Sequence, residues 1–266
     1  MISWASYFTG REPKTGQLFV LDDVTAFGAD RSKVSDIIGA LRGRPTVFDA
    51  VDLARELGRM IPEGVDAVLL GNGGMVTYRL IVDSGSWFKP PIACLNVRRD
   101  YVYMPGQKRP TVSIKIAAGD NGTVSGAYAK RLVLLDDVVA SGGTINACRL
   151  YLTNNAMVDG PAGFDSASLV ASGDLRGIFR SSVGSTIVGI NDTYTSQIVR
   201  GPSGFPAILS LRFALLRTDD AQKMEYLLKY ADSGKIGALK SAIKDIDRES
   251  LARAYSKRSL VDEVLK

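Results

Sequence analysis

Apolar residues in the N-terminal part of the chain recur with the spacing of an amphipathic helix. Val34, Ile37, Ile38 and Leu41 stand at positions i, i+3, i+4 and i+7, and Asp30 precedes them. This pattern predicts a helix with Asp30 as its N-cap. A second helix is predicted to begin at Thr46, with one buried face formed by Leu53, Leu57 and Met60.

The middle of the chain carries short apolar runs that glycine, proline or polar residues interrupt. Such runs predict buried strands, and they occur at residues 65–70, 90–97, 132–135, 166–172 and 185–190. The stretch 75–82, between the first two runs, has helical spacing. Strands that alternate with helices indicate βαβ units, so we predict an α/β fold in which a twisted parallel sheet carries helices on both faces.

Two parts of the chain depart from this alternation. Residues 100–127 show no clear period and contain several glycines and prolines, so we predict two edge strands, near 98–104 and 111–117, around exposed turns. From residue 219 the spacing is helical again, and the apolar positions are expected to face a core. We therefore divide the chain into a helical N-terminal segment (1–62), an α/β core (63–217) and a helical C-terminal extension (218–266).

None of the 266 residues is a histidine, which limits the kinds of catalytic and metal site that the chain can form. It excludes His-based zinc sites, Ser-His-Asp triads and Cys-His dyads, so acid–base chemistry falls to carboxylates, Lys, Tyr or the substrate. Cys94 and Cys148 lie among apolar residues and are predicted to be free thiols, which fits a reducing cytoplasm. The chain has no apolar run of about 18 residues and no basic-then-apolar pattern of a signal peptide in residues 1–10.

The net charge of +5 is concentrated in one segment. Residues 98–131 contain seven basic and two acidic side chains, and this difference equals the whole excess. The charge has two interpretations, a solvated surface or a site for a polyanion. A polyanion site is of interest for function because this segment directly precedes a pair of aspartates.

The stretch 131–150, RLVLLDDVVASGGTINACRL, joins an apolar run to two adjacent carboxylates and a loop of small residues. At the carboxyl end of a strand, Asp136 and Asp137 can both reach the crevice above the sheet. The loop then leads into a helix N-terminus, where backbone N–H groups and the helix dipole favour a phosphate. Carboxylates repel phosphate but accept hydrogen bonds from vicinal sugar hydroxyls, with Mg²⁺ nearby. The pattern therefore predicts a sugar 5-phosphate as ligand.

At these residues the chain resembles the type I phosphoribosyltransferases. Their signature for 5-phosphoribosyl-1-pyrophosphate (PRPP) is four apolar residues, two acidic, two apolar and a Thr/Ser-Gly-rich loop. Residues 132–144, LVLLDDVVASGGT, match it, although Ala140 stands where a hydroxyl residue is common. The GNGG stretch at residues 71–74 is similar to the family's pyrophosphate loop. It is not a dinucleotide fingerprint, because Val76 replaces the third glycine.

The resemblance implies a role for each part of the site. Asp136 and Asp137 would hold the ribose hydroxyls and, directly or through water, Mg²⁺. The 5-phosphate would lie on Val139, Ala140, Ser141, Gly142, Gly143 and Thr144. The leaving pyrophosphate would lie on Gly71, Asn72, Gly73, Gly74, Arg98 and Arg99. A mobile basic loop within residues 96–115 would close over it with Lys108 and Arg109.

The resemblance, which covers residues 65–172, implies an enzyme that transfers ribose 5-phosphate from PRPP to an acceptor and releases pyrophosphate. A nucleobase is the default acceptor, held by a variable hood that we expect in the N-terminal segment or the C-terminal extension. A PRPP-sensing regulator that binds nucleic acid, and a phosphoribosyl hydrolase or phosphorylase, stay open as alternatives. The expected partners are PRPP and a small acceptor. Neither a membrane nor nucleic acid is expected, and a homodimer is left open.

Overall fold

In the computed structural model the chain forms two compact units. The structure describes residues 18–28, 30–87, 89–102, 111–118, 131–140, 142–154, 163–172, 190–199, 207–216, 227–228, 230–247, 249 and 251. Unit 1 comprises residues 1–50, 101–112 and 201–256, and unit 2 comprises residues 51–100, 113–200 and 257–266. Most of the N-terminal segment and of the C-terminal extension therefore belongs to unit 1.

Strands and helices follow one another along the described residues. The strands are β1 (Leu18–Asp22), β2 (Thr46–Asp49), β3 (Asp66–Leu70), β4 (Ala93–Val102), β5 (Thr111–Ala118), β6 (Arg131–Val139), β7 (Gly163–Ser172), β8 (Ile190–Val199) and β9 (Ala207–Ser210). The helices are α1 (Arg31–Gly39), α2 (Ala50–Met60), α3 (Gly71–Asp83), α4 (Gly143–Asn154), α5 (Leu211–Leu216) and α6 (Ile236–Lys244).

Unit 2 is built on a six-stranded sheet with the order β5-β4-β3-β6-β7-β8. The pairs β3–β4, β3–β6, β6–β7 and β7–β8 are all parallel. Parallel neighbours require crossover connections, and α3 and α4 supply two of them. The predicted fold class, a parallel sheet with helices on its faces, is confirmed.

The chain changes its direction of travel across this sheet between β3 and β6. β3 leads through α3 to β4 on one side, and β6 leads through α4 to β7 on the other. Because crossovers between parallel strands are right-handed, opposite directions of travel place α3 and α4 on opposite faces. The carboxyl ends of β3 and β6 therefore border a topological switch point, where open α/β sheets bind ligands.

The core of unit 2 fixes α4 against the centre of the sheet. Ile145, Cys148 and Leu152 of α4 pack on Val68 of β3 and Leu134 of β6, and all five side chains are buried. Burying an aliphatic side chain of this size stabilises a fold by roughly 1.5–3 kcal/mol. The end of β6 and the start of α4 are therefore held in a defined arrangement.

Unit 1 contains a smaller parallel sheet with the order β2-β1-β9. The rings of Phe19 and Phe48 stack across β1 and β2, with their centroids 6.0 Å apart. Asp30 caps α1 as predicted, because its carboxylate accepts a hydrogen bond from the Ser32 N–H at 2.9 Å. α1 lies against α6, and both helices bury apolar side chains, namely Val34, Ile37, Leu239 and Ile243.

The prediction of a helical N-terminal segment is wrong in part. β1 and β2 lie within it, and residues 46–49 form β2 instead of the start of a helix. The β-branched and aromatic side chains of these residues suit a strand, and Val47 pairs with Val20. α2 therefore begins only at Ala50. Of the three apolar residues predicted to share one face, Leu53 and Leu57 are buried, whereas Met60, at the last position of α2, is 44% exposed.

Two strand predictions also need correction. The runs at 90–97 and 98–104 contribute to one strand, β4, which lies inside the sheet because β5 covers it and forms the edge. The predicted strand at 185–190 lies outside the described residues except for Ile190, where β8 begins. β8 itself was not predicted, because its polar residues lack an apolar run.

Cys94 and Cys148 form no disulfide, as predicted. Within the described ranges, every helix is too short or too polar to span a bilayer.

Candidate functional site

The glycine stretch 71–74 forms the first turn of α3, and not a separate loop as predicted. Gly71 has φ of +58°, a left-handed conformation that β3 needs to turn directly into the helix. Leu70 is the N-cap residue and supplies no side-chain hydrogen bond to the turn. The first backbone N–H groups of a helix have no partner within it, so this turn presents donors at the carboxyl end of β3.

Gly73 brings α3 against the paired aspartates of β6. A Cβ at this position would collide with Oδ1 of Asp136 and would stand 2.5 Å from Oδ1 of Asp137. The predicted pyrophosphate turn and the predicted ribose carboxylates are therefore neighbours, although 62 residues separate Gly73 from Asp136 along the chain. Only a residue without a side chain permits this approach.

Gly74 allows a second close approach, this time to the backbone of the sheet. A Cβ there would collide with the carbonyl oxygen of Leu135 and would lie 3.0–3.1 Å from backbone carbon atoms of Leu69. Thr77, one turn further along α3, donates a buried hydrogen bond from Oγ1 to the carbonyl oxygen of Asp136 at 3.2 Å. Sequence reasoning missed Thr77, whose signal is a hydroxyl residue at i+4 from Gly73 in an otherwise apolar helix.

The two aspartates lie near the carboxyl end of β6, as predicted, although the strand continues beyond them to Val139. The Asp136 side chain is buried, at 7% exposure, and that of Asp137 is half-buried. Asp136 Oδ1 accepts the N–H of Asp137 at 2.9 Å, and Asp137 Oδ1 accepts the N–H of Val138 at 2.9 Å. These bonds hold both carboxylates in fixed orientations at the end of the strand.

The side-chain oxygen of Asn72, in the glycine turn, lies in an unusual environment for a polar atom. Its Oδ1 is buried and has no hydrogen-bond partner among the described residues. An unpaired buried acceptor costs roughly 1–3 kcal/mol, so such groups in folded proteins commonly meet water, a cation or a ligand donor. An amide oxygen is a hard acceptor, as a carboxylate oxygen is, and Asn72 stands next to Gly73 in this turn.

The β6–α4 connection follows the aspartates on the other side of the switch point. Gly142 has φ of +70°, and its carbonyl oxygen accepts the N–H of Asn146 at 2.9 Å, which closes the first turn of α4. Ser172, at the end of β7, donates from Oγ to the carbonyl oxygen of Ala140 at 2.7 Å and anchors the connection. Sequence reasoning missed Ser172, because it lies 32 positions further along the chain than Ala140.

The structure places some predicted site residues and leaves others undescribed. Val139 and Thr144 are buried, and Gly143 is the first residue of α4. Ser141 lies outside the described residues, as do Lys108 and Arg109 of the predicted mobile loop. Arg98 and Arg99 lie in β4, but their side chains are outside the described part of the structure.

A divalent cation would have few protein ligands here. The described residues contain no group of three or more His, Cys, Asp or Glu side chains suited to a metal. Mg²⁺, however, prefers oxygen ligands and is commonly held by one or two carboxylates together with water and substrate phosphates. Asp136 and Asp137 supply two carboxylates for that kind of site beside Gly73, and Asn72 has an amide oxygen in the same turn of α3.

A second copy of the tetrapeptide Leu-Asp-Asp-Val occurs at residues 21–24, at the end of β1 in unit 1. Here Asp23 is fully buried and accepts hydrogen bonds from the backbone N–H and from Nε of Arg212, both at 2.9 Å. Asp22 accepts the N–H of Val24, and burial raises the pKa of the Asp22 carboxyl. The two copies therefore have different partners, and the tetrapeptide alone does not define a ligand site.

No protein-family model and no curated protein sequence matches the chain. Among solved structures, the fold is similar to a hypothetical protein from Neisseria gonorrhoeae with bound ppGpp (TM-score 0.46, 17% identity, 70% of this chain and 93% of that one). It is also similar to the APRTase from Giardia lamblia complexed with 9-deazaadenine (TM-score 0.35, 19% identity, 56% and 79%). A third is a hypoxanthine phosphoribosyltransferase from Staphylococcus aureus (TM-score 0.36, 11% identity, 61% and 79%).

These three TM-scores lie below 0.5, so the assignment of the site rests on the geometry of this chain. Several of the similar structures are named as phosphoribosyltransferases.

Proposed function

We propose that the chain is a Mg²⁺-dependent phosphoribosyltransferase that transfers ribose 5-phosphate from PRPP to a small acceptor, with a nucleobase as the default. The observation that carries the proposal is the approach of Gly73 to both Asp136 and Asp137 at the switch point between β3 and β6. It joins a helix N-terminus to two carboxylates, which together suit a ligand with both phosphate and hydroxyl groups.

The carboxylates of Asp136 and Asp137 would bind the two ribose hydroxyls. Each already accepts one backbone N–H through Oδ1, so the hydroxyls would use the remaining lone pairs. A hydrogen bond to a charged group stabilises by roughly 1.5–3 kcal/mol. The pair would therefore fix the ribose with its C1 atom facing the glycine turn of α3.

The start of α4 would bind the 5-phosphate. Backbone N–H groups of Gly143 and Thr144 belong to its first turn, and the helix dipole favours an anion there. Val139, Ala140, Ser141 and Gly142 complete the connection that would surround the phosphate. Its attachment to β7 through Ser172 would keep the connection from moving when the ligand leaves.

The first turn of α3 would bind the leaving pyrophosphate through its backbone N–H groups. Asn72 Oδ1 is an acceptor and repels phosphate oxygens, so it would face Mg²⁺ or a ribose hydroxyl instead. Mg²⁺, when bound, supplies positive charge to the pyrophosphate. Arg98 and Arg99 from β4, and Lys108 and Arg109 from the proposed mobile loop, would add more.

The reaction breaks the bond between C1 and the pyrophosphate oxygen and forms a bond between C1 and an acceptor atom. Positive charge develops on the ribose ring in between, close to the two carboxylates. Such a step depends on positioning and on charge neutralisation, so a chain without histidine can perform it.

Pyrophosphate release from PRPP and Mg²⁺, measured with a panel of purine and pyrimidine bases, tests the proposal. Asp137→Asn should slow release by about 10- to 150-fold, because it removes one charge-assisted hydrogen bond. Asp83→Asn provides a matched control, since Asp83 is exposed and pairs with Arg79 at the far end of α3. Base-independent release would indicate a hydrolase, and no release with any base would refute the transferase.

A further inference from the structure

Arg149 is a buried cation on α4 without an acidic partner among the described residues. Its side chain is 9% exposed. Nη2 lies 3.3 Å from Oδ1 of Asn146, a neutral amide, and Nε is buried without a hydrogen-bond partner in the described part of the chain. Burial lowers the pKa of the Arg149 guanidinium, and no carboxylate in the described part of the chain offsets this effect.

The guanidinium lies beside the first turn of α4. Asn146, its hydrogen-bond partner, is the residue whose N–H closes that turn on the carbonyl oxygen of Gly142. The Arg149 side chain therefore extends back along α4 towards the N-terminus, the direction that helical side chains favour. Its positive charge adds to the positive end of the helix dipole at the same place.

Another buried arginine of this chain is neutralised. Arg212 in unit 1 is 5% exposed, and its Nε donates to the fully buried carboxylate of Asp23 at 2.9 Å. Arg131 in unit 2 is more exposed, yet its Nε donates to the buried Asp165 at 2.7 Å. An uncompensated buried charge is strongly unfavourable, so Arg149 calls for an anion that comes from elsewhere.

We propose that Arg149 is an additional anion-binding residue, and that its partner is a phosphate group of the ligand at the N-terminus of α4. This proposal rests on the proposed function for the location of the phosphate, and it makes the site selective for sugar phosphates over unphosphorylated sugars. The proposal also predicts that the ligand stabilises the protein, in part because its phosphate neutralises the charge of Arg149, which is already buried in the ligand-free protein.

The variant Arg149→Met tests the proposal, because methionine fills a similar volume without charge. It should leave the melting temperature of the ligand-free protein unchanged or raise it, since an unpaired buried charge is removed. It should also weaken the binding of ribose 5-phosphate, measured by calorimetry, by about 10- to 150-fold. Arg79→Met, which removes a half-buried arginine that is paired with Asp83 on α3, should leave that affinity unchanged.

Two outcomes would overturn the proposal. A lower melting temperature with unchanged ribose 5-phosphate affinity would show that Arg149 serves the fold alone, and would overturn the proposal. If Arg149→Met does not fold, Arg149→Gln, which is neutral but still forms hydrogen bonds, takes its place with the same expected loss of affinity. Failure of both variants to fold would also overturn the proposal, because the chain itself would then need the charge.

The choice of ribose 5-phosphate separates this proposal from the proposed function. A protein that binds ribose 5-phosphate through Arg149 but releases no pyrophosphate from PRPP would refute the transferase and retain the anion-binding role. A protein that releases pyrophosphate with Arg149→Met as fast as the wild type, at subsaturating PRPP, would retain the transferase and refute the role of Arg149.

Discussion

Three single changes in the first turn of α3, Gly71→Ala, Gly73→Ala and Gly74→Ala, should have three different effects. Each adds the same methyl group to the same turn, but the structure around the group differs. The methyl group of Gly73→Ala points at two carboxylates, that of Gly74→Ala at the backbone of two strands, and that of Gly71→Ala at ordinary packing space. The three variants, which lie within four residues of one another, therefore distinguish an effect on ligand affinity from an effect on the stability of the fold.

Gly73→Ala should weaken ligand binding with little change in stability. The new Cβ would collide with Oδ1 of Asp136 and lie 2.5 Å from Oδ1 of Asp137, so at least one carboxylate must rotate away. Losing one charge-assisted hydrogen bond to the ribose weakens binding by about 10- to 150-fold. Alanine favours a helix by up to about 1 kcal/mol relative to glycine, which offsets the strain in the ligand-free protein.

Gly74→Ala and Gly71→Ala should mainly lower stability. The carbonyl oxygen of Leu135 belongs to β6 and cannot rotate away, so Gly74→Ala forces α3 off the sheet at a cost of about 1–3 kcal/mol. At Gly71 the nearest atom, Cβ of Val97, is 3.7 Å away, and the cost comes from φ of +58° instead. A left-handed alanine costs about 1–2 kcal/mol.

Thermal unfolding and calorimetric titration with PRPP and Mg²⁺, carried out on all three variants, provide the test. The expected result is a loss of affinity without a loss of melting temperature in Gly73→Ala, and a lower melting temperature in the other two. Wild-type affinity in Gly73→Ala would refute the argument, because the carboxylates beside Gly73 would then not contact the ligand. A stable Gly74→Ala variant would show that α3 can shift on the sheet.

Three further predictions concern other parts of the chain. Asp22→Asn should raise the melting temperature at pH 7. Burial raises the folded-state pKa of the Asp22 carboxyl, so its negative charge opposes folding at that pH. The gain in melting temperature should disappear as the pH falls below 3.8, the ordinary pKa of an aspartate. Arg212→Met should destabilise the protein by about 3–5 kcal/mol in denaturant titrations, because it leaves Asp23 charged and buried. The double change Lys108→Ala and Arg109→Ala should slow pyrophosphate release more than it weakens PRPP binding, if the loop closes only during transfer.

The sequence predicts the parts of unit 2 in which local pattern and tertiary structure agree. The apolar runs of β3, β6 and β7 are buried on both faces of a parallel sheet, so they appear as continuous hydrophobic stretches. The small residues before α4 mark a turn whose conformation glycine alone adopts easily, as φ of +70° at Gly142 shows. These features are local and can be recognised without knowledge of the fold.

Other features depend on contacts between distant segments, so no local sequence pattern predicts them. β2 and β9 have four residues each, and β9 joins β1 from about 190 positions away, so no local pattern indicates the sheet of unit 1. The sequence predicts a loop at the glycine turn, because glycine disfavours helices. The close approach of α3 to Asp136 and Leu135 outweighs that preference at Gly73 and Gly74.

The two copies of Leu-Asp-Asp-Val show why the residue opposite a carboxylate decides what the carboxylate does. Both copies end a central strand of a parallel sheet and precede a connection to a helix. In unit 1 the chain supplies Arg212 opposite Asp23, so the carboxylate is neutralised internally and stabilises the fold. In unit 2 Gly73, in the first turn of α3, lies opposite Asp136 and Asp137. The Asp23 carboxylate is therefore neutralised by an arginine of the chain, whereas the pair opposite the glycine turn is the one that we propose binds the hydroxyl groups of a ligand.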